Sequence, residues 1–168
     1  AMNNNELICI FADYDVDGAT SASLLKNVLR ELGVEAIIYV PDRVKEGYGP
    51  SKEAVRKLKD IGVGLLISVD CGSQAFDAFK RAKELSLDVV VIDHHMTGPN
   101  LPEAVAIVNP NRFDEDSQYT YLAAVGVTFL FCVALIMALK KQNHYQASQI
   151  NLLNYLDLVA LGTICDVV

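Results

Sequence analysis

At 168 residues, with 52% hydrophobic and 21% charged side chains, the chain can bury a core and fits one domain, or one part of a longer protein. A formal net charge of −7 excludes a protein that coats nucleic acid through general basicity. It does not exclude a nuclease, because carboxylates that hold divalent cations count as negative until they are loaded.

Ala1-Met2 ahead of Asn3-Asn4-Asn5 reads as a cloning scar and disordered lead-in, which leaves residues 6–168 as the folded domain. Leu7 to Ala12 is a short apolar run with no polar alternation, as expected of a strand covered on both faces. It breaks at Asp13-Tyr14-Asp15-Val16-Asp17-Gly18. A helix follows, with Ala22, Leu25, Val28, Leu29 and Leu32 on one stripe and Gly33 as its C-cap. Val34 to Val40 is a second strand, and Pro41 to Pro50 is a loop. Ser51 caps a helix with Ala54, Val55 and Leu58 inward.

Val63 to Val69 is a third strand, stopped by Asp70-Cys71-Gly72-Ser73, and a helix then runs to about Leu85. Val89 to Ile92 is a fourth strand ending at Asp93-His94-His95, and Val105 to Val108 a fifth, stopped by Asn109-Pro110. This alternation predicts an α/β fold: a five-stranded parallel sheet with helices on both faces, followed by C-terminal helices. Tyr121 to Leu139 carries no charge and has the length of a membrane span. It is read instead as a buried core helix, since Gly126 and Thr128 interrupt it and a helix covering a parallel sheet is apolar nearly all round.

Four scattered cysteines (Cys9, Cys71, Cys132, Cys165) with no C-x-x-C pair point to reduced thiols and a cytoplasmic protein, with no secretory signal visible. Cys71 is read as a small strand-end residue and His144 as a surface side chain.

In an open α/β sheet, ligands bind where the carboxyl ends of the strands share one edge. Three predicted strands end there in acids or imidazoles: Asp13, Asp15 and Asp17; Asp70; and Asp93-His94-His95, which holds two of the three histidines. Each alone has a local explanation, because Asp-x-Asp is common in turns and Asp93 could be a helix N-cap. Their joint placement predicts a site of hard oxygen donors with imidazole, suited to Mn²⁺ or Mg²⁺. Two such ions, about 3.5–4 Å apart, activate water and stabilise the leaving oxygen in phosphoryl hydrolysis.

These residues resemble the motifs of the DHH superfamily of phosphoesterases, in order, from Leu7 to Val168. Asp15 to Ser21 is similar to the first motif, Ser68 to Ser73 to the second, Asp93-His94-His95 to the third, and Leu161 to Asp166 to the fourth. Asp13 to Thr20, Glu46 to Gly49, Val108-Asn109-Pro110 and Ala123 to Val127 resemble the RecJ branch, whose members degrade single-stranded DNA. The resemblance implies that Asp15 and Asp17 each serve one ion and that Asp70 bridges both. His94 and Asp166 complete the ligand set of the second ion, His95 meets the substrate phosphate, and Asp93 orients the histidines from behind.

Two departures stand out. Many DHH proteins carry a histidine where this chain has Phe11, so Asp13 or water is expected to substitute. The RecJ branch continues into a smaller DHHA1 domain that helps to grip nucleic acid and is not part of this sequence.

The implied activity is a metal-dependent 5′-to-3′ exonuclease on single-stranded DNA, monomeric and with no membrane attachment, acting in repair and recombination. The Arg43-to-Tyr48 loop fits such a substrate, since a guanidinium bridges phosphate oxygens and a tyrosine stacks on bases; it fits an ordinary solvated turn equally well. The alternatives are a DHH phosphodiesterase on short oligonucleotides, cyclic dinucleotides or pyrophosphate, or a haloacid-dehalogenase-like phosphatase in which Asp15 forms an aspartyl-phosphate. A non-enzymatic, metal-stabilised binding module is the fourth reading.

Overall fold

A computed structural model describes every residue except Val167. Five parallel strands form one sheet in the order β2-β1-β3-β4-β5. In chain order, β1 (Leu7–Ala12) leads into α1 (Val16–Glu31) and β2 (Ala36–Tyr39); a short α2 (Arg43–Glu46) and α3 (Lys52–Asp60) then lead to β3 (Val63–Val69). The chain continues through α4 (Phe76–Glu84), β4 (Asp88–Ile92), β5 (Ala106–Val108), α5 (Ala124–Lys141), α6 (Tyr145–Gln149) and α7 (Leu156–Asp166).

Alternation along β1 separates two cores. Ile8, Ile10 and Ala12 point to the face covered by α1, α5 and α7, while Cys9 and Phe11 point to the face covered by α3 and α4. Burying both faces explains why the strands are continuously apolar. Each fully buried Leu or Ile in these cores, such as Leu24, Leu25, Leu58 and Leu66, contributes on the order of 1.5–3 kcal/mol.

Because β1 is followed by β2 on one side and flanked by β3 on the other, the strand order reverses between β1 and β3. That switch point opens a crevice at the carboxyl edge. β4 adjoins β3 in register, with Val69 opposite Ile92, so the segments after β1, β3 and β4 all emerge beside this crevice.

Three details differ from the sequence expectations. The lead-in expected to be disordered forms a 3-10 turn, Met2–Asn4, with Met2 packed against the core. The Pro41–Pro50 loop contains α2, because the Asp42 carboxylate caps the amides of Val44 and Lys45. α5 is not buried all round. Its first turns are enclosed, but Leu130, Ala134 and Met137 are exposed further along, where Cys132 and Ile136 mark the one side that stays buried.

α1, α5 and α7 meet at Gly162. A Cβ there would lie 2.4 Å from Thr20 Oγ1, 2.7 Å from Val125 Cγ1 and 3.1 Å from Asp17 Oδ1. Gly162→Ala is therefore expected to destabilise the fold by about 1–3 kcal/mol, the usual cost of overpacking. Urea denaturation of the two forms measures it, and equal midpoints would show that the junction has room to yield.

Candidate metal centre

The first acids are placed by the turn from β1 into α1. Asp15 is the N-cap of α1 and accepts a hydrogen bond from the Gly18 amide at 2.9 Å. The turn is tight enough that a Cβ on Gly18 would sit 2.4 Å from the Asp13 carbonyl oxygen, so only glycine fits. Asp17, in the first turn of α1, is buried against the start of α5. Its carboxylate accepts the amides of Ala124 (2.6 Å) and Val125 (2.8 Å). The N-cap residue of α5 is Ala123, whose methyl group cannot accept a hydrogen bond, so Asp17 satisfies those amides from across the fold.

β3 and β4 deliver the other ligand candidates. Asp70 has φ 59°, a left-handed conformation uncommon for a non-glycine residue, and its amide donates to the Ile92 carbonyl. Its Oδ1 lies 3.4 Å from His94 Nε2, which is also 3.9 Å from Asp17 and 3.7 Å from Asp166 at the end of α7.

Asp13 Oδ1, Asp70 Oδ1 and His94 Nε2 are all buried without a hydrogen-bond partner. Buried polar atoms are nearly always partnered, so three orphans around one point call for a ligand. Three groups have ligand atoms within 4.8 Å of one another: Asp13–Asp15–Asp70, Asp17–His94–Asp166 and Asp70–His94–His95. Carboxylate oxygens with one or two imidazoles are a donor set suited to Mn²⁺ or Mg²⁺.

Burial and crowding of the acids show in their protonation. Burial, then the Asp15 charge, pushes Asp13 up to about 6. Burial and the neighbouring charges of Asp17 and Asp15 drive Asp70 far above the carboxylate range. Asp17 is raised as well, because burial outweighs its two amide donors.

Asp93 behaves differently. Its Oδ1 accepts the amides of His94 (2.8 Å) and His95 (3.3 Å) and pairs with His95 Nδ1 at 2.7 Å; Oδ2 accepts the Ser73 amide at 3.0 Å. Burial opposes its ionisation, but these partners outweigh burial and lower its pKa, while the same bond raises His95. Asp93 is thus not a helix cap. It locks the ring of His95, whereas it reaches His94 only through the backbone.

His95 and Asp93 line a cavity of about 530 Å³ together with Tyr48, Gly72 and Phe76. Tyr48 is 57% exposed and stands edge-on to His95, with ring centres 6.4 Å apart. Arg43 lies over the Tyr14 ring at 4.5 Å.

All the acids and imidazoles singled out at the carboxyl edge therefore come together, and Arg43 and Tyr48 stand at the rim. Phe11 is not at the site: it is fully buried and stacks on Tyr39 on the α3 and α4 side. The basic residues after Arg43 are mostly engaged, Lys45 with Asp42, Lys52 with Asp77, Arg56 with Glu53 and Asp60, and Lys57 with Glu46. Cys71 is fully buried, and burial holds its thiol well above its usual range, which disfavours a thiolate nucleophile. His144, expected on the surface, is half-buried at the start of α6 and belongs to none of the three ligand groups. Sequence reasoning quoted Tyr14, Ser73 and Ala124-Val125 within motifs but gave them no role, and it missed Asn111, since none of them carries a charge pattern that announces a site.

Residues 7–163 match the DHH family, N-terminal domain. Over 168 residues the chain is 42% identical to the single-stranded-DNA-specific exonuclease RecJ of Bacillus subtilis, covering all of this chain and 20% of that protein. The fold superposes on a crystal structure of exonuclease RecJ bound to manganese with a TM-score of 0.84 at 31% identity, covering 98% of this chain and 40% of that one. RecJ from Thermus thermophilus in complex with Mn²⁺ aligns with a TM-score of 0.77 at 28% identity, covering 99% of this chain and 22% of that one. The chain thus spans well under half the length of the proteins it matches.

The raised Asp13 has a consequence for stability without metal. Its carboxyl holds a proton up to about pH 6 in the folded protein but only to about 3.8 when unfolded, so the folded state binds more protons between those values. Its contribution is present below pH 3.8 and is lost as pH rises towards 6. In EDTA, Asp13→Asn is expected to flatten the decline in unfolding free energy across that window. Urea titrations at several pH values check this, and parallel curves for the two proteins would rule it out.

Proposed function

The chain belongs to the DHH family, and from that premise we propose that it hydrolyses phosphodiester bonds of single-stranded DNA from the 5′ end, in repair and recombination, as a metal-dependent exonuclease. The observation that carries this reading is the convergence of Asp13, Asp15, Asp17, Asp70, His94 and Asp166 with three orphaned buried polar atoms at the sheet's switch point. Support for the substrate comes from the RecJ relatives, described as single-stranded-DNA-specific. The two manganese-bound RecJ structures support Mn²⁺ as the ion.

Asp13, Asp15 and Asp70 would hold one ion, and Asp17, His94 and Asp166 a second, with Asp70 shared. Bound there, the ions would lower the pKa of water to make a nucleophile and offset charge on the phosphate. The chain's own side chains do the positioning. His95 is fixed through Nδ1 by Asp93, so its Nε2 is the ring atom left for a phosphate oxygen. Tyr48, exposed next to His95, can stack on a base, and Arg43 sits where a guanidinium can bridge phosphate oxygens. A phospho-enzyme on Asp15 is disfavoured, because Asp15 caps α1 and the carboxylates meet histidines rather than the lysine such a mechanism needs.

We assign residues 6–168 to the catalytic domain of such an enzyme, working as a cytoplasmic monomer. With most lysines of the α2–α3 region ion-paired and a net charge of −7, the affinity of these residues for an anionic strand should be low and its salt slope modest. The family resemblance assigns the remaining grip to a DHHA1 domain.

The test uses 5′-labelled single-stranded DNA with Mn²⁺. Release of labelled mononucleotides that stops with EDTA is expected; cleavage from the 3′ end or inside the strand would overturn the assignment. Calorimetry should show that Asp70→Ala abolishes Mn²⁺ binding while Asp13→Ala only weakens it. Equal, small losses from both would count against a shared Asp70.

A further inference from the structure

Asn109-Pro110-Asn111 follows β5 and takes no part in the chemistry described so far, yet the segment is wired directly to the two histidines. β5 pairs with β4 so that Ile92 faces Val108, and the Asp93 amide donates to the Val108 carbonyl at 3.0 Å. The next residues of the two strands therefore lie side by side: Asp93-His94-His95 on one and Asn109-Pro110-Asn111 on the other.

Asn109 is 5% exposed and uses its side chain fully. Its Oδ1 accepts the Asn111 amide at 2.8 Å, the local bond that shapes the turn. Its Nδ2 reaches across the sheet edge, donating to the His95 carbonyl and to Ser73 Oγ, each at 2.9 Å. The Ser73 amide in turn donates to Asp93, and Asp93 holds His95 Nδ1. The circuit closes on itself: Asn109 to the backbone of His95, His95 to Asp93, Asp93 to Ser73, Ser73 back to Asn109.

Asn111 makes a second, separate brace. Its Nδ2 donates to the His94 carbonyl at 2.6 Å and to the Thr120 carbonyl at 3.1 Å. Thr120 lies just ahead of the α5 N-terminus whose amides hold Asp17, so this bond links His94 to the loop that delivers that helix. Pro110 between the two asparagines fixes one backbone angle of the turn, which helps to keep both side chains aimed.

We propose that Asn109 and Asn111 are positioning residues for the site, one for each histidine. Asn109 sets the main chain of His95 so that its ring meets Asp93 and faces the substrate cavity. Asn111 sets the main chain of His94 so that its Nε2 falls among Asp17, Asp70 and Asp166. The roles of the two rings rest on the function proposed above; the braces themselves do not. A turn that only needed satisfying would use bonds between near neighbours. These bonds instead reach residues 14, 17 and 36 positions away, and each asparagine selects a different histidine.

Two readouts separate the arms. With ¹⁵N-labelled histidine at a single pH and no metal, Asn109→Ala should move the ring signals of His95 and leave those of His94, and Asn111→Ala should do the reverse. With Mn²⁺ followed by calorimetry, Asn111→Ala should weaken binding by about tenfold or more, the usual effect of removing a partner that orients a ligand. Asn109→Ala should leave Mn²⁺ affinity unchanged and lower kcat on single-stranded DNA with KM little altered. Asn109→Ser and Asn111→Ser, which keep a hydroxyl donor on a shorter arm, should give intermediate shifts and serve if an alanine form does not fold. Equal movement of both rings in either variant, or of neither, would overturn the division of roles. Failure of the unaltered protein to bind Mn²⁺ would instead count against the proposed function, with the ring shifts still deciding the braces.

Discussion

Burial of carboxylates, aggravated by their mutual repulsion, is the constraint around which this molecule is organised. Asp13, Asp17 and Asp70 are each almost fully buried, and Asp15 and Asp166 complete two groups of ligand atoms with them and His94. Like charges 4 Å apart at a partly buried site cost on the order of 4 kcal/mol per pair, more than a small domain can carry several times over. The protein responds in the only two ways open to it. Acids that must stay close shift towards the protonated form, as Asp13 and Asp70 do, and the rest of the site is ready for a cation that removes the repulsion. A hydrophobic core could not substitute for this arrangement, and its expense is a reason to read the cluster as functional.

Holding such a cluster requires scaffolding from distant parts of the chain. Asp17 comes from α1 but is tied to the start of α5, more than a hundred residues later in sequence. α7 brings Asp166 alongside only because Gly162 lets it press against Thr20 and Val125. Asp70 is held in a left-handed conformation at the end of β3, at a cost of about 1–2 kcal/mol that the surrounding sheet must offset. The ligand set can therefore assemble only after β1, β3, β4, α1, α5 and α7 have all packed. A substitution at a residue with no polar side chain, such as Gly162, reaches the site through this geometry, since a Cβ there would press on Asp17.

Much of this was legible in the residues. The sheet could be read because each strand is a continuous apolar run ended by an acid or a turn, and those endings are the same positions that approach one another in space. The alternation of strands and helices then fixes which edge they share. What stayed hidden depends on bonds between uncharged groups. Ser73 and Ala124-Val125 fall inside stretches that resemble family motifs, but nothing in them, or in Asn111, announces which bonds they make until the strands are paired. α2 was overlooked because a four-residue helix has too few positions for a period, and its only signal is Asp42 as a cap. The exposure of Leu130 and Met137 was hidden for another reason: an uncharged helix gives no contrast between an inner and an outer face.

The polar groups of the site divide into a part that collects charge and a part that arranges it. On the β1 and β3 side, acids meet acids and the orphaned oxygens await a cation. On the β4 and β5 side, every polar atom of Asp93, Ser73 and Asn109 that the bonds reach is partnered by another neutral or oppositely charged group. His94 and His95 stand at the boundary, ring centres 4.6 Å apart, one turned to the acids and the other to the cavity. A rigid, satisfied network on one side is what permits an unsatisfied one on the other. Within that network His94 Nε2 sits among Asp17, Asp70 and Asp166, while His95 is paired through Nδ1 with Asp93.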